Sequence, residues 1–185
     1  MNPRRLTPLE YAILGLVRLY PMSGYDVHRL FVKTPLMHFS SSPGAIYPAL
    51  NRLSRRGLLS HRVETPTELR PKRVYSLSPE GAAALDAWLR LQVTPDELIR
   101  DGRSPLLRFS LADGHLSAAE TQLYLATFGQ VVLAYLQELY RHRDELSTHG
   151  TLHQRLALEN GIRGYEALAG WIRDAAVAIE ATPVG

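Results

Sequence analysis

The chain has 185 residues, 45% of them hydrophobic and 21% charged, which is typical of a folded globular protein and excludes a disordered chain. It contains no cysteine, no apolar stretch long enough to span a membrane and no signal-peptide pattern, so we expect a cytoplasmic protein without disulfides or a membrane partner. The net charge of +3 conceals an asymmetry, because residues 1–92 carry thirteen basic and six acidic side chains, whereas residues 93–185 carry eight and twelve. We therefore expect the first half to attract a polyanion and the second half to serve another purpose.

Two short helices are predicted at the start of the chain. Thr7 and Glu10 have the spacing of a capping box, with a proline between them at the first helical position. The helix that they open ends before Pro21, since proline cannot continue a helix. A second helix is expected to begin at Ser23–Asp26, which has the same type of start signal.

The third predicted helix has one apolar face and one polar face. It begins near Ser42 and Pro43 and ends at Gly57, and Pro48 makes its first turn irregular or delays its regular start. Its apolar stripe consists of Ile46, Ala49, Leu50 and Leu53. Its other face carries Tyr47, Pro48, Asn51, Arg52 and Arg55, with Ser42 and Gly44 at its N-terminal end. Such a face suits the major groove of double-stranded DNA, because arginine pairs with guanine, asparagine pairs with adenine, and the helix start binds phosphate.

A β-hairpin with a long basic tip is predicted next. Its strands are expected over Leu58–Glu64 and Arg73–Leu77, and the loop between them is longer than that of most hairpins. Arg70, Lys72 and Arg73 lie at this tip, where the cations of a winged helix-turn-helix contact the DNA backbone or the minor groove. Because most charged hairpin tips are merely solvated, this interpretation depends on the order of the elements and on the charge asymmetry.

The rest of the chain is predicted to be helical. A fourth helix begins at Ser78, residues 93–116 form a connecting segment with one or two short helices, and a long helix runs from Ser117 to about Leu146. A last helix follows Gly150. The expected fold class is mainly α with a small β-hairpin. It comprises a winged helix-turn-helix domain over residues 1–92, a linker over 93–116 and a helical dimerisation domain over 117–185.

Both long helices carry apolar residues at steps of three and four, the spacing of a helix-packing seam. The seam residues are Leu125, Phe128, Val132, Tyr135, Leu139, Leu158, Ile162, Tyr165, Ile172 and Ile179. A lone pair of helices is expected to leave this seam exposed, so we predict a bundle with a second copy of the chain. A homodimer would place two recognition helices about one duplex turn apart, as a palindromic site requires. The alternative is that the helices pack back on each other as an ordinary core.

Six aromatic residues are candidates to line a cavity for a small aromatic or hydrophobic effector. They are Trp88, Trp171, Tyr124, Tyr135, Tyr140 and Tyr165. Cavities between bundle helices are favoured ligand sites, although aromatic residues at helical spacing more often form plain core. The sequence identifies no effector.

Catalytic motifs are not found, so we expect a protein that is not an enzyme and needs no cofactor. His149 and His153 have a spacing that metal ligands use, but no carboxylate or cysteine completes a site, and a solvated helix junction is the favoured interpretation. The main alternative function is a winged-helix adaptor for other proteins. An adaptor predicts apolar anchors on the outward face of the third helix, where Asn51, Arg52 and Arg55 stand instead.

The third helix resembles the recognition-helix signature of the PadR family of bacterial transcriptional regulators. The matching segments are Ser42–Leu53 with Arg56–Leu58, Ala12–Leu16, Ser23–Asp26 and Arg70–Gly81, and more loosely Arg100–Phe109 of the longer members with a helical C-terminal domain. The resemblance implies a winged-helix fold, a homodimer joined through its C-terminal helices, and usually repression of a nearby promoter. It also implies that Pro48 is a family feature. Leu69, where glycine is expected, and Gly102, where an acidic residue is expected, depart from the pattern.

Overall fold

The computed structural model describes residues 6–34, 36, 42–65 and 71–181. The chain divides into two compact units, Met1–Leu89 and Arg90–Gly185. The elements of the first unit are α1 (Pro8–Leu19), β1 (Met22–Ser23), α2 (Gly24–Lys33), α3 (Pro43–Arg55), β2 (Leu59–Glu64), β3 (Lys72–Leu77) and α4 (Pro79–Leu89). Those of the second are α5 (Pro95–Arg100), α6 (Ser104–Ser110), α7 (Ala118–His149) and α8 (Leu152–Ala181). The predicted fold class, mainly α with a small β-structure, is confirmed.

The predicted starts of the first helices are confirmed by their capping hydrogen bonds. The Thr7 hydroxyl accepts from the backbone N–H of Glu10, and the Glu10 carboxylate accepts in return from the N–H of Thr7. Ser23 and Asp26 form the same reciprocal pair at the start of α2. These bonds satisfy backbone donors that have no partner within the helix, and they fix where each helix begins.

Helix α3 contains Pro48 and still extends from Pro43 to Arg55. The regular helix is therefore not delayed, and its first turn is tight, because the Ser42 carbonyl accepts from the N–H groups of both Ala45 and Ile46. The far end closes with a Schellman motif. There the N–H groups of residues 57 and 58 donate to the carbonyls of residues 54 and 53, and Gly57 adopts a φ of 73°.

The sheet has three antiparallel strands in the order β1-β3-β2. The predicted hairpin is confirmed as β2 and β3, and its register places His61 opposite Tyr75 and Val63 opposite Arg73. Strand β1 was not predicted, because two residues are too few to show an alternating pattern. Met22 of this strand pairs with Tyr75, so β3 is the central strand.

Hydrogen bonds join the turn that ends α3 to the start of α4. The Ser78 hydroxyl donates to the Gly57 carbonyl at 2.7 Å and accepts from the N–H of Gly81 at 2.9 Å. The N–H of Ser78 also donates to the carbonyl of Leu58. A Cβ atom on Gly81 would stand 2.1 Å from that carbonyl oxygen, so only glycine allows this approach. The position of the α3 terminus is thereby fixed by its neighbour in the fold.

The core of the first unit is built from the apolar faces of its helices. Its fully buried side chains include Ile13, Leu14, Phe31, Ile46, Leu50, Leu53 and Leu85. At one side Tyr11 of α1 stacks on Trp88 of α4, with ring centroids 4.3 Å apart. The buried stripe of α3 is the one that the sequence predicts, so its polar face points to solvent.

Residues 93–116, predicted as a linker, form part of the second unit. Val93 and Leu98 are buried in the same core as Phe128 of α7 and Ile172 of α8. The unit therefore begins at Arg90, three residues before the predicted linker, and the predicted short helices are α5 and α6. Weak periodicity in the sequence reflects two short helices that each bury only a few side chains.

The seam predicted for a second copy lies within one chain. Leu125, Phe128, Val132, Ile162 and Ile172 are buried there, and Tyr135, Leu139, Leu158, Tyr165 and Ile179 are half-buried against them. The expectation that two helices of one chain would leave the seam exposed is wrong, because α7 and α8 pack on each other over much of their length. The alternative that the sequence left open, an intramolecular core, describes these ten residues.

An arginine is buried in the second unit. The Arg108 side chain is 1% exposed, and its guanidinium donates to the Leu91 carbonyl at 3.0 Å and to the Glu97 carboxylate at 2.5 Å. The Tyr124 ring lies beside the Arg108 guanidinium, and the Tyr124 hydroxyl donates a hydrogen bond to the Pro105 carbonyl. Burial raises the pKa of the Tyr124 hydroxyl far above its usual value, although the charge of Arg108 opposes the shift. The tyrosine therefore stays neutral at physiological pH.

Candidate nucleic-acid interface

The polar face of α3 is exposed as the sequence predicts. Ser42, Gly44, Tyr47, Pro48, Asn51, Arg52 and Arg55 all lie at the surface. They are exposed because Ile46, Ala49, Leu50 and Leu53 turn the opposite side of the helix into the core. The structure thus presents the predicted DNA-reading residues on one accessible surface, which is the first requirement for their proposed role.

Two clefts separate α3 from the β2–β3 hairpin, which we call the wing. The first cleft, of about 540 Å³, is lined by Ser23, Gly24, Tyr25, Asp26, Tyr47, Asn51, Lys72, Arg73 and Tyr75. The second cleft, of about 600 Å³, is lined by Asn51, Ser54, Arg55, His61 and Arg73. Asn51 and Arg73 line both clefts. The fold therefore brings the predicted helix residues and two of the predicted wing cations to one surface.

Arg70 and Leu69, both assigned to the wing tip, lie outside the described residues. Lys72 is described at the start of β3, next to the tip loop, where its ammonium stands 3.6 Å from the Glu64 carboxylate. A hydrogen bond from Arg62 and the charges of Arg62 and Lys72 hold the pKa of Glu64 below its usual value. Glu64 stays ionised as a result and offsets part of the positive charge of the wing.

Arg52 makes a contact that sequence reasoning missed. Its Nε donates to Oε1 of Glu10 at 2.9 Å, and the Glu10 side chain is only 5% exposed. Burial alone would raise the pKa of Glu10, but hydrogen bonds from Thr7 and Arg52 outweigh burial and lower it. Glu10 is therefore a buried carboxylate that binds α3 to α1. Arg52 acts as an anchor of the helix, although 45% of its side chain remains exposed.

Replacing Arg52 by alanine should lower the free energy of unfolding of the first unit by about 1–2 kcal/mol, because it leaves Glu10 buried without its guanidinium partner. Replacing Asn51 by alanine is the matched control, since Asn51 is exposed on the same helix and should change stability by no more than about 0.5 kcal/mol. Urea denaturation followed by Trp88 fluorescence in a Trp171→Phe background measures both effects. Equal stability of the two variants would contradict the anchoring role.

Tyr47 is held against the start of α2. A Cβ atom on Gly24 would stand 2.6 Å from the Tyr47 ring, so glycine at this position makes room for the ring. The Ser23 hydroxyl, 2.6 Å from the Asp26 carboxylate, and the nearby cations Arg29 and Lys72 lower the pKa of Asp26. The first cleft thus includes an ionised carboxylate beside its cations, which sequence reasoning did not place there.

The aromatic candidates for an effector cavity fall in both units. Trp88 belongs to the first unit, where it is buried and stacks on Tyr11. In the second unit, Tyr135 and Tyr165 form an edge-to-face pair with ring centroids 4.9 Å apart, and Trp171 forms another with Phe109 at 5.2 Å. Trp171 remains 37% exposed, which leaves one aromatic ring of this unit accessible.

In the part of the chain that the structure describes, no three potential metal-ligating side chains come together, and no helix has the length and hydropathy of a membrane span. His149 and His153 lie on opposite sides of the turn between α7 and α8, and both are exposed. Their four-residue spacing therefore does not fall on one helix.

Comparisons with known proteins show which family the first unit is similar to. Residues 13–87 match the model of the Transcriptional regulator PadR-like family. The chain is 32% identical over 93 residues to the negative transcriptional regulator PadR of Bacillus subtilis (strain 168), which is 50% of this chain and 51% of that protein. That alignment thus spans about half of the length of the Bacillus subtilis regulator.

One further relative and one solved structure are similar over most of the chain. A probable transcriptional regulator of Mycobacterium tuberculosis is 25% identical over 191 residues, covering 93% of this chain and 97% of that protein. The crystal structure of Bacillus subtilis PadR in complex with operator DNA has 25% identity and a TM-score of 0.46, covering 94% of this chain and 99% of that one. Residues 13–87 are thus similar to the PadR-like family of transcriptional regulators.

Proposed function

We propose that the chain is a sequence-specific DNA-binding transcriptional regulator whose α3 enters the major groove while the wing contacts the adjacent backbone. The observation that carries this proposal is the convergence of Asn51 and Arg55 of α3 with Arg73 of the wing at one surface. Their chemistry suits DNA, because asparagine pairs with adenine, arginine pairs with guanine, and a wing cation neutralises phosphate. The match of residues 13–87 to a regulator family supports the same conclusion.

The start of α3 is proposed to make the expected phosphate contact. The Ser42 hydroxyl and the small residue Gly44 are both exposed there, at the positive end of a thirteen-residue helix. Pro48 and Tyr47 add apolar surface between this end and Asn51. In this arrangement the helix start positions the protein on the backbone, and the residues further along α3 read the bases.

The regulator is proposed to act as a homodimer on a palindromic operator. Since the seam of α7 and α8 is filled within one chain, the second copy must cover other side chains. Leu123 and Leu133 of α7 are 60% and 50% exposed, and Leu152 and Leu156 of α8 are 59% and 58% exposed. We propose these four exposed leucines, instead of the ten seam residues, as side chains that the second copy covers, because a partner would remove their apolar surface from water.

Repression of a nearby promoter, with release by a small aromatic or hydrophobic effector, completes the proposal. The curated Bacillus subtilis relative is described as a negative regulator, which favours repression for this chain. The edge-to-face pairs Tyr135–Tyr165 and Phe109–Trp171 are the proposed location for an effector, since they bring aromatic surface together in the second unit.

Fluorescence anisotropy on a duplex from upstream of the gene, with an unrelated duplex as control and salt varied, tests the proposal. We expect tighter binding to the upstream duplex and an affinity that falls steeply as salt rises. Equal and weak binding to both duplexes would contradict sequence-specific regulation. The adaptor alternative, which requires apolar anchors on α3, would then be the better description.

The same assay separates the residues that read bases from those that bind phosphate. Asn51→Ala should weaken binding to the cognate duplex by about 1–3 kcal/mol while leaving the unrelated duplex unaffected. Lys72→Ala and Arg73→Ala should weaken binding to both duplexes alike. Each should reduce the slope of the logarithm of the association constant against the logarithm of the salt concentration by about 0.9. Arg163→Ala, an exposed arginine on α8, is the control and should change neither value. Identical profiles for the Asn51 and Arg73 variants would contradict these roles.

A further inference from the structure

His61 lies in the second cleft although the function proposed above assigns it no role. It is exposed on β2, directly opposite Tyr75, and the two rings lie 5.9 Å apart. Side chains of directly paired residues share a sheet face, and so do residues two apart on a strand, so His61 and Arg73 point to the same side of the wing. That side is the one that meets Asn51, Ser54 and Arg55 of α3.

The charges that face His61 are all positive. Arg55 approaches from α3 and Arg73 approaches from β3, and the described lining of the second cleft includes no carboxylate. Glu64, the acidic residue of the same strand, pairs with Lys72 on the opposite sheet face. The Tyr75 ring is the other titratable side chain in contact. The cleft beside His61 therefore presents positive charge to an incoming anion.

We propose that His61 is a DNA-contacting residue that takes up a proton when DNA binds, so that its imidazolium donates a hydrogen bond to a backbone phosphate beside α3. The inference rests on the proposed DNA-binding function. A backbone phosphate that pairs with Arg73 also accepts a hydrogen bond from His61 and stabilises the imidazolium. Because the complex then holds one more proton than the free protein, binding tightens as the pH falls.

The test is fluorescence anisotropy with the full chain on the upstream duplex, from pH 8.0 to 5.5 at constant ionic strength. The wild-type Kd should fall about three- to tenfold over this range, and the slope of log K against log salt should steepen by about 0.9. His61→Asn should remove most of both effects. His61→Lys, which is charged at every pH in this range, should bind at pH 8.0 about as tightly as the wild type does at pH 5.5.

His153→Asn is the matched control, because His153 is an exposed histidine of α8 outside both clefts. It should keep the full pH dependence of the wild type. A pH dependence that is the same in the wild type and in His61→Asn would overturn the role of His61 while leaving specific binding intact. If the wild type showed no specific binding at any pH, the proposed function would be overturned instead. The assay therefore distinguishes a failure of the His61 proposal from a failure of the proposed function.

Discussion

Replacing Arg108 by alanine should lower the free energy of unfolding of the second unit by about 3–5 kcal/mol. The guanidinium is buried and binds both the Glu97 carboxylate and the Leu91 carbonyl, so its removal leaves a charge and a polar oxygen without their donors. Most of the loss comes from this unpaired carboxylate and not from lost packing. Urea denaturation followed by Trp171 fluorescence in a Trp88→Phe background measures the change.

Two further variants test whether the unpaired buried charge causes the loss of stability in Arg108→Ala. Arg100→Ala removes a guanidinium that is 78% exposed in its ion pair with Asp96, and should cost no more than about 0.5 kcal/mol. The double variant Arg108→Met, Glu97→Met removes both buried charges while keeping apolar volume, and should recover most of the stability that Arg108→Ala loses. If the double variant were as unstable as Arg108→Ala, packing and not the unpaired carboxylate would explain the effect.

Gly81→Ala should destabilise the first unit by about 3 kcal/mol. The new methyl group would stand 2.1 Å from the Leu58 carbonyl oxygen, a backbone atom that cannot rotate away as a side chain can. Relief requires α4 to separate from the turn that ends α3, which weakens the bonds of Ser78 to Gly57 and Leu58. DNA affinity should fall together with stability, because the same turn fixes the far end of α3.

Gly57→Ala is the informative comparison. Gly57 has a φ of 73°, but no atom lies within 4 Å of the position that its Cβ would take. The substitution should cost about 1–2 kcal/mol through the left-handed backbone alone. Thermal unfolding followed by Trp88 fluorescence in the Trp171→Phe background ranks the two variants. A smaller loss for Gly81→Ala than for Gly57→Ala would contradict the steric argument.

Local signals predicted the helices well. Helix ends depend on backbone groups within a few residues of the cap, so they can be predicted from the adjacent sequence. The examples are Thr7 and Ser23 at helix starts and Gly57 at the end of α3. The apolar stripe of α3 likewise determined which of its faces is exposed. For this reason the helix part of the candidate site could be predicted residue by residue.

Long-range contacts could not be predicted in the same way. Arg52 and Glu10 are 42 residues apart, and nothing near Arg52 indicates that a buried carboxylate will bind it. The seam of α7 and α8 has the same spacing whether it packs on a second copy or on its own neighbour, so periodicity cannot distinguish the two. His61 was overlooked because its position depends on the pairing of β2 with β3 and on the approach of α3.

The contact between Arg52 and Glu10 also indicates how operator preference could be re-engineered. Asn51 and Arg55 project from α3 into solvent, whereas Arg52 shares its guanidinium with the buried carboxylate. A combinatorial library that randomises Asn51 and Arg55 and retains Arg52 and Glu10 should consist largely of folded members with altered base preference. A library that also randomises Arg52 should lose members to misfolding before selection on DNA begins, so this ion pair marks a residue of the helix that such a library has to retain.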